Sequence, residues 1–159
     1  MKTNLILIVL IGLNFFTGAV FAKSDPIAIG GVNHVGLTVS DLELSKAFFV
    51  DQLGFKVNGH DTTYPAYFLS NEHVMVTLWQ VVAPLSMQPF NRKNNVGLHH
   101  LAFNVGSVAQ LNALHERFKT LKNMKIEFAP ELLGKGPTQH MMIREPSGNR
   151  LEFIVRSGK

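Results

Sequence analysis

The stretch GLHHLAFNV, residues 97–105, alternates between apolar and polar side chains and predicts a β-strand over residues 98–105. An earlier stretch, VNHVGLTV at residues 32–39, has the same alternation and also carries a histidine near its start. Each stretch is followed by a polar residue that can cap a helix and then by apolar residues at helical spacing. The pattern therefore predicts two copies of one structural unit in a short chain.

Caps and apolar spacing place one helix in each copy. In the first copy, Ser40 is the expected N-cap, Glu43 completes a capping box and Gly54 ends the helix. In the second copy, Gly106 and Ser107 lead into a helix with an apolar stripe. The residues of that stripe are Val108, Leu111, Leu114, Phe118 and Leu121.

Three further strand-like segments follow each helix. They lie at about residues 55–59, 64–69 and 73–82 in the first copy, and 125–129, 139–144 and 150–156 in the second. The order is βαβββ twice, an α+β fold with modules at 32–82 and 96–157 and a connector at 83–95. Because neither module can bury a sheet face alone, we expect them to pair around a U-shaped cleft of mixed sheets, within one domain at 32–157.

The first 22 residues, MKTNLILIVLIGLNFFTGAVFA, have the pattern of a secretory signal peptide with cleavage after Ala22. An uncleaved membrane anchor is the alternative, but Asn14 interrupts an apolar run that falls short of the roughly 20 residues needed to span a bilayer. Residues 23–31 are the predicted linker. We therefore expect a periplasmic or secreted protein without a stable membrane anchor.

Cysteine is absent, which excludes disulfides, thiolate zinc sites and cysteine nucleophiles. The formal net charge of +4 at pH 7 is spread along the chain without a basic cluster, so nucleic-acid binding is not expected. The residues that face the predicted cleft therefore carry the functional prediction.

Strand alternation places His34, His100 and Glu152 on the polar faces of the first, fifth and last strands. Buried sheet faces are normally apolar, so these faces are better explained as cleft walls. Two imidazoles and a carboxylate form a metal-binding set that leaves positions open for substrate or water. For any one residue alone, hydrogen-bonded histidines and an exposed glutamate are the alternative. His99 has the opposite parity and is expected under or beside the second helix, as a packing or hydrogen-bonding residue.

The segments VNHVGLTVSDLELSKAFFVDQLGFKV, GLHHLAFNV and EPSGNRLEF resemble the vicinal-oxygen-chelate superfamily, which includes glyoxalase I, fosfomycin-resistance enzymes, extradiol dioxygenases and bleomycin-binding proteins. The resemblance covers nearly all of residues 30–156. It implies one divalent ion (iron, manganese, zinc or nickel) held by His34, His100 and Glu152 between paired βαβββ modules. Single-domain members often dimerise, sometimes with the cleft completed by the partner, which leaves a homodimer open.

Two departures from the family pattern concern further site residues. Glyoxalase I resembles a four-ligand version, but aligning TLWQV with LEFIV places Leu78 where Glu152 sits, so a fourth protein ligand is not expected. The alternative is Gln80, two residues further along with the same parity, as a substitute fourth ligand. Extradiol dioxygenases have an additional acid–base histidine before the last hairpin. His140 is the nearby histidine here, and it either acts as a general base or hydrogen-bond donor in the cleft or lies at the rim.

Trp79, Asn104 and Arg144 are the candidate substrate-binding residues. Asn104 shares the polar face of the fifth strand, and Trp79 belongs to an aromatic set that forms either a pocket or core. Arg144 either binds an anionic substrate group or is a solvated charge.

The resulting prediction is an exported, divalent-metal-dependent lyase, isomerase or dioxygenase that acts on a small substrate with vicinal oxygens. The alternative is a non-catalytic protein of the bleomycin-resistance type that binds or sequesters a small molecule. Relatives of that type usually lack the metal residues, which this chain retains.

Overall fold

The computed structural model describes residues 28–156, so the predicted signal peptide and the first part of the predicted linker lie outside the described residues. The chain divides into two units, Met1–Gly31 and Val32–Lys159. Residues 28–31 of the first unit form no helix or strand. Among the described residues, no helix combines the length and apolar character needed to cross a membrane.

The second unit contains the βαβββ order twice, which confirms the predicted α+β class. The first module comprises β1 (His34–Val39), α1 (Leu42–Ala47), a π-helix (Phe48–Gln52), β2 (Lys56–Asp61), β3 (Ala66–Ser70) and β4 (Met75–Gln80). The second comprises β5 (Leu101–Asn104), α2 (Val108–Lys119), β6 (Lys125–Leu132), β7 (Gln139–Arg144) and β8 (Arg150–Val155). β5 is shorter than the predicted 98–105, and both histidines at its start precede the strand.

Each module forms one four-stranded mixed sheet, which we call sheet A (β1–β4) and sheet B (β5–β8). The strand orders are equivalent, β1-β4-β3-β2 and β5-β8-β7-β6, with the first and last strands of each module parallel. Gly36 pairs with Thr77 in sheet A, as Ala102 pairs with Glu152 in sheet B. Thr77 is therefore the counterpart of Glu152, which corrects the alignment that gave this place to Leu78.

The helix of the first module differs from its prediction at both ends of α1. Its N-cap is Asp41 rather than Ser40, and the Asp41 carboxylate accepts a hydrogen bond from the Leu44 amide at 2.9 Å. Beyond α1 the chain continues as a π-helix, whose wider turn lets the consecutive residues Phe48 and Phe49 both lie buried. Gly54 ends the segment as predicted, with the positive φ of 73° that glycine tolerates best.

The apolar faces of both sheets contribute to one hydrophobic core. Leu37 and Val39 of β1, like Leu151 and Phe153 of β8, are buried in it. Aromatic contacts connect the modules across this core: Phe48–Phe118 at 5.7 Å, Phe49–Phe103 at 6.5 Å and Phe55–Phe103 at 6.1 Å between ring centroids. The polar face of each sheet is consequently the face turned away from the shared core.

A buried carboxylate joins the two modules at the turn between β7 and β8. Glu145 accepts hydrogen bonds from the Ser45 hydroxyl at 2.7 Å and from the amides of Ser147 and Asn149, both at 3.0 Å. The Asn149 side chain donates to Glu145 and to the Thr38 carbonyl, both at 2.9 Å. These bonds hold the last hairpin against the end of β1.

Candidate metal centre

The strongest cluster of predicted site residues lies on the polar face of sheet B. Glu152 of β8 pairs with Ala102 of β5 and with Met142 of β7, and His140 pairs with Ile154. Directly paired residues share a face, and so do alternate residues along one strand. The register therefore places Glu152 and His140 on one face, as the sequence predicted for Glu152.

Glu152 lies between two imidazoles. Its Oε1 is 2.5 Å from Nδ1 of His140 and its Oε2 is 3.2 Å from Nε2 of His100. Glu152 and His140 are both buried, whereas the side chain of His100 is 34% exposed. A buried carboxylate is tolerated where such polar partners surround it, so this triad is a paired polar site whose outer edge, at His100, is open to solvent.

His99 and His100 contact each other, contrary to the prediction from strand parity. Their Nδ1 atoms are 2.8 Å apart, and His99 is exposed rather than placed under α2. The alternation of side chains between the two faces of a strand does not apply here, because both residues precede β5. Nη1 of Arg150 lies 3.5 Å from Nδ1 of His99, and desolvation, followed by the charge of Arg150, lowers the pKa of His99.

His34 lies apart from this triad in the described chain. It is exposed at the start of β1, on the polar face of sheet A, and its Nδ1 donates to the Asn33 side-chain oxygen at 2.8 Å. That bond leaves Nε2 as the ring nitrogen available for a cation. Within residues 28–156, no three histidine, aspartate or glutamate side chains are grouped as a metal-binding cage.

The donor chemistry of the triad fits a divalent cation in part. Nε2 of His100 and Oε2 of Glu152 approach each other from one imidazole and one carboxylate, the ligand types that zinc, iron, manganese and nickel accept. The remaining nitrogen of His100 faces His99, which is the kind of hydrogen bond that orients a ligating histidine. His100 and Glu152, two of the three predicted ligands, are thus in contact, whereas the third, His34, contacts Asn33 instead.

Gln80 lies apart from the triad, at the end of β4. It has the parity of Leu78, whose side chain faces the core. Its amide donates to the Ser40 carbonyl at 2.7 Å and accepts from the Leu42 amide at 2.9 Å, so both ends of the amide hold the start of α1.

The predicted substrate-binding residues lie at three separate places. Trp79 is half-buried on the polar face of sheet A and donates to the Thr77 hydroxyl at 2.8 Å. Asn104 is exposed at the end of β5. Arg144 forms an ion pair with Glu127 at 2.8 Å and lies 5.4 Å from the ring centroid of Phe90.

Sequence reasoning missed Glu127, which organises the charges on sheet B. The register of β6 against β7 shifts between Ile126 and Phe128, and Ile126 packs against the core. This bulge turns Glu127 towards Arg144 and Arg150, at 2.8 Å and 2.6 Å. Burial alone would raise the pKa of Glu127, but the two arginines outweigh it and hold that pKa below its usual range.

Two βαβββ modules with equivalent sheets, and a histidine–carboxylate cluster on a polar sheet face, define the class of protein. The chain belongs to the glyoxalase/bleomycin resistance protein/dioxygenase superfamily, whose family pattern it matches over residues 31–153. The chain is also 34% identical over 92 residues to the uncharacterized protein YwkD of Bacillus subtilis (strain 168), a match covering 54% of this chain and 70% of that protein.

Solved structures share the fold. A glyoxylase/bleomycin resistance protein/dioxygenase domain from Frankia sp. EAN1pec has a TM-score of 0.70 at 24% identity, covering 83% of this chain and 96% of that one. The fosfomycin resistance protein FosX from Listeria monocytogenes has a TM-score of 0.65 at 18% identity, covering 82% and 96%. Lactoylglutathione lyase from Agrobacterium tumefaciens has a TM-score of 0.61 at 21% identity, covering 80% and 94%.

Proposed function

We propose that this protein is a divalent-metal-dependent enzyme whose substrate is a small molecule with two adjacent oxygen atoms. The observation that carries the proposal is the position of Glu152 between His100 and His140 on the polar face of sheet B. The 3.2 Å between Nε2 of His100 and Oε2 of Glu152 suits two ligands of one cation. Ligand atoms at about 2.0–2.2 Å from a zinc-sized ion are separated by roughly that distance.

His100 and Glu152 would hold the cation, and His34 of a second copy would complete the set in a homodimer. The exposure of His34 supports this assignment, as does its separation from the triad within one chain. Large apolar residues in and next to the connector are also exposed, and a second copy would cover them: Val82, Leu85 and Val96. A cation bound there would supply Lewis-acid polarisation of the substrate oxygens.

His140 is the residue we assign to proton transfer. Its Nδ1 is held 2.5 Å from Glu152, which sets the orientation of the ring. Its Nε2 is 3.9 Å from Oε1 of Glu131, beyond hydrogen-bond range, so this nitrogen has the capacity to take or give a proton. His140 would therefore act as a general acid or base next to the cation ligands.

A non-catalytic binder of small molecules is the second candidate function. It is favoured by one observation, the lack of a three-residue metal cage within residues 28–156. Metal content separates the candidates, because the enzyme needs the cation and the binder does not.

The first experiment is metal analysis of protein purified without chelator, followed by titration with Mn²⁺, Fe²⁺, Ni²⁺ and Zn²⁺. We expect one ion per chain in the wild type and loss of that ion in His100→Ala. His73→Ala is the matched control, since His73 is exposed on the turn between β3 and β4 of sheet A. Equal metal content in His100→Ala and wild type would refute the site.

The second experiment tests the shared site by mixing subunits. His34→Ala and Glu152→Ala are each expected to lose the ion. Hybrid dimers of the two variants contain one site with all three ligands if His34 comes from the other copy, and none if it comes from the same chain. Recovery of metal binding after mixing supports the homodimeric site, and no recovery in verified hybrid dimers contradicts it.

Export to the periplasm or the medium is a further part of the proposal and rests on the leader pattern at residues 1–22. Cell fractionation of the full chain, with residues 23–159 alone as the control, tests it. Full chain retained in the cytoplasm with an intact N-terminus would refute export.

A further inference from the structure

Three arginines share one carboxylate on the polar face of sheet B. Glu127 accepts from Nε of Arg144 at 2.8 Å and from Nε of Arg150 at 2.6 Å, while Nη1 of Arg92 lies 3.7 Å from it. The side chains of Glu127 and Arg150 are only 13% and 7% exposed. We call Arg92, Arg144, Arg150 and Glu127 the arginine cluster.

The arginine cluster has more positive than negative charge in a partly buried position. Within residues 28–156, Glu127 is the only carboxylate within 4.0 Å of any of the three guanidinium groups. Burying unbalanced charge is costly, and the cost falls when an opposite charge binds. The cluster therefore favours binding of an anion.

The donors of the cluster are held in place before any ligand binds. Arg144 lies over the ring of Phe90, and its Nη1 donates to the Phe90 carbonyl at 3.4 Å. Both Arg144 and Arg150 direct Nε at Glu127, and Nη1 of Arg150 lies 3.5 Å from Nδ1 of His99. Planar guanidinium groups in such an arrangement match the oxygens of a carboxylate or a phosphonate.

A cavity of about 250 Å³ lies beside Arg150. Its lining residues include Asn91, Asn95 and Asn149, and among the described residues no aspartate or glutamate lines it. The cavity therefore presents Arg150 without an anionic lining residue that would repel an anion.

Arg150 and Glu152 are alternate residues of β8 and share its polar face. Their Cα atoms are therefore separated by about 7 Å along the strand. A small molecule is long enough to reach from the candidate metal centre to the arginine cluster.

We propose that the arginine cluster is a subsite for an anionic group, a carboxylate or a phosphonate, carried by the substrate that binds at the candidate metal centre. This inference rests on the proposed function, which places the two adjacent oxygens of the substrate at the candidate metal centre. The substrate class is a small organic anion whose vicinal oxygens lie roughly 7 Å from its charged group.

Matched ligand pairs test the subsite. In metal-loaded protein, calorimetry compares 3,4-dihydroxybenzoate with catechol, which has the same vicinal oxygens but no carboxylate. In chelator-treated protein, benzoate and phenylphosphonate are compared with benzyl alcohol, which separates a carboxylate from a phosphonate preference without using the metal. The proteins are wild type, Arg144→Gln and Arg92→Gln, with Arg156→Gln as the control because Arg156 is an exposed cation just after β8.

We expect the wild type to bind 3,4-dihydroxybenzoate about tenfold or more tightly than catechol, which corresponds to one hydrogen bond to a charged group. Arg144→Gln and Arg92→Gln should lose most of this preference while catechol binding is retained, and Arg156→Gln should keep it. Circular dichroism confirms that each variant is folded. If Arg144→Gln does not fold, the anion preference of Arg92→Gln tests the subsite, because the Arg92 side chain is only half-buried.

The outcomes also separate this proposal from the proposed function. A preference for benzoate or phenylphosphonate over benzyl alcohol that Arg144→Gln or Arg92→Gln removes would support the subsite even in a protein that binds no metal. A metal-binding protein in which neither arginine variant changes the anion preference refutes the subsite and leaves the metal centre standing. An equal loss in Arg156→Gln also refutes the subsite, because it would show a general charge effect.

Discussion

Sheets A and B have equivalent strand order and register, but their polar faces differ in charge. Where sheet B carries Glu152, sheet A carries Thr77, whose hydroxyl accepts from Trp79 of the same strand. The apolar faces of the two sheets contribute to one core, so both must stay apolar. The polar faces carry no such constraint, and the charged chemistry is concentrated on the second module.

The largest expected effect is loss of metal binding in Glu152→Gln, which replaces the proposed anionic ligand with a neutral side chain of the same size. Changes in the outer shell of metal sites already cost about 10–100-fold in affinity, so we expect at least a 100-fold loss here. Thr77→Val, at the corresponding position of sheet A, should cause a much smaller change. Titration of both variants with Zn²⁺ and Mn²⁺ is the measurement, and similar losses in the two would contradict the assignment of the chemistry to sheet B.

Much of the fold could be predicted because apolar periodicity reflects burial directly. The alternation in β1 correctly placed Leu37 and Val39 in the core and His34 on the opposite, polar face. The same argument placed Glu152 on the polar face of β8, although all of β8 is buried in the folded chain. Periodicity distinguishes the two faces of a strand, but it does not show whether the polar face is covered.

The predictions from the sequence are wrong or incomplete where strands begin or bulge, because those points depend on tertiary hydrogen bonding. His99 and His100 were assigned opposite faces, but β5 begins only at Leu101 and the two rings meet. The sequence did not predict the role of Glu127, because a bulge in β6 changes the direction of its side chain. No local sequence signal marks these features.

The second largest effect concerns the turns before the last strand of each module. Glu145 in sheet B is buried and accepts four hydrogen bonds, whereas Asn71 in sheet A is exposed and accepts from the amides of His73 and Val74. We expect Glu145→Ala to lower the free energy of unfolding by about 3 kcal/mol, since it strands buried donors, and Asn71→Ala by about 1 kcal/mol. Urea unfolding measures both, and equal losses would contradict a joining role for Glu145.

A smaller effect with a pH signature concerns the bulged residue of each sheet. The register of β2 shifts between Val57 and Gly59, as that of β6 shifts around Glu127, and the neutral Asn58 lies at that shift. At pH 7 we expect Glu127→Gln to lower the free energy of unfolding by about 2 kcal/mol, the value of a hydrogen bond to a charged group.

Acid should reduce this difference between wild type and Glu127→Gln. Arg150 and Arg144 outweigh the effect of burial and lower the pKa of Glu127 from 4.5, so the folded state favours the ionised form. Its contribution is therefore fully present above about pH 4.5 and is lost as the pH falls through the lowered pKa. Urea unfolding between pH 7 and pH 3 is the measurement. A difference that stays constant over this range would refute the ion pairing, and Asn58→Ala should show no such pH dependence.

The smallest effect tests how closely the polar face of sheet A is packed. A Cβ added at Gly36 would lie 3.3 Å from the Thr77 hydroxyl and 3.5 Å from Nε1 of Trp79, the only tryptophan in the chain. In Gly36→Ala, the reduced entropy of the unfolded chain offsets this crowding, so we expect a stability change within about 1 kcal/mol but a shifted Trp79 emission. Ala102→Gly, the counterpart change in sheet B, should leave the emission unchanged. Unaltered emission in Gly36→Ala would mean that Trp79 does not pack against β1, and sheet A would then offer a more open polar face than its register indicates.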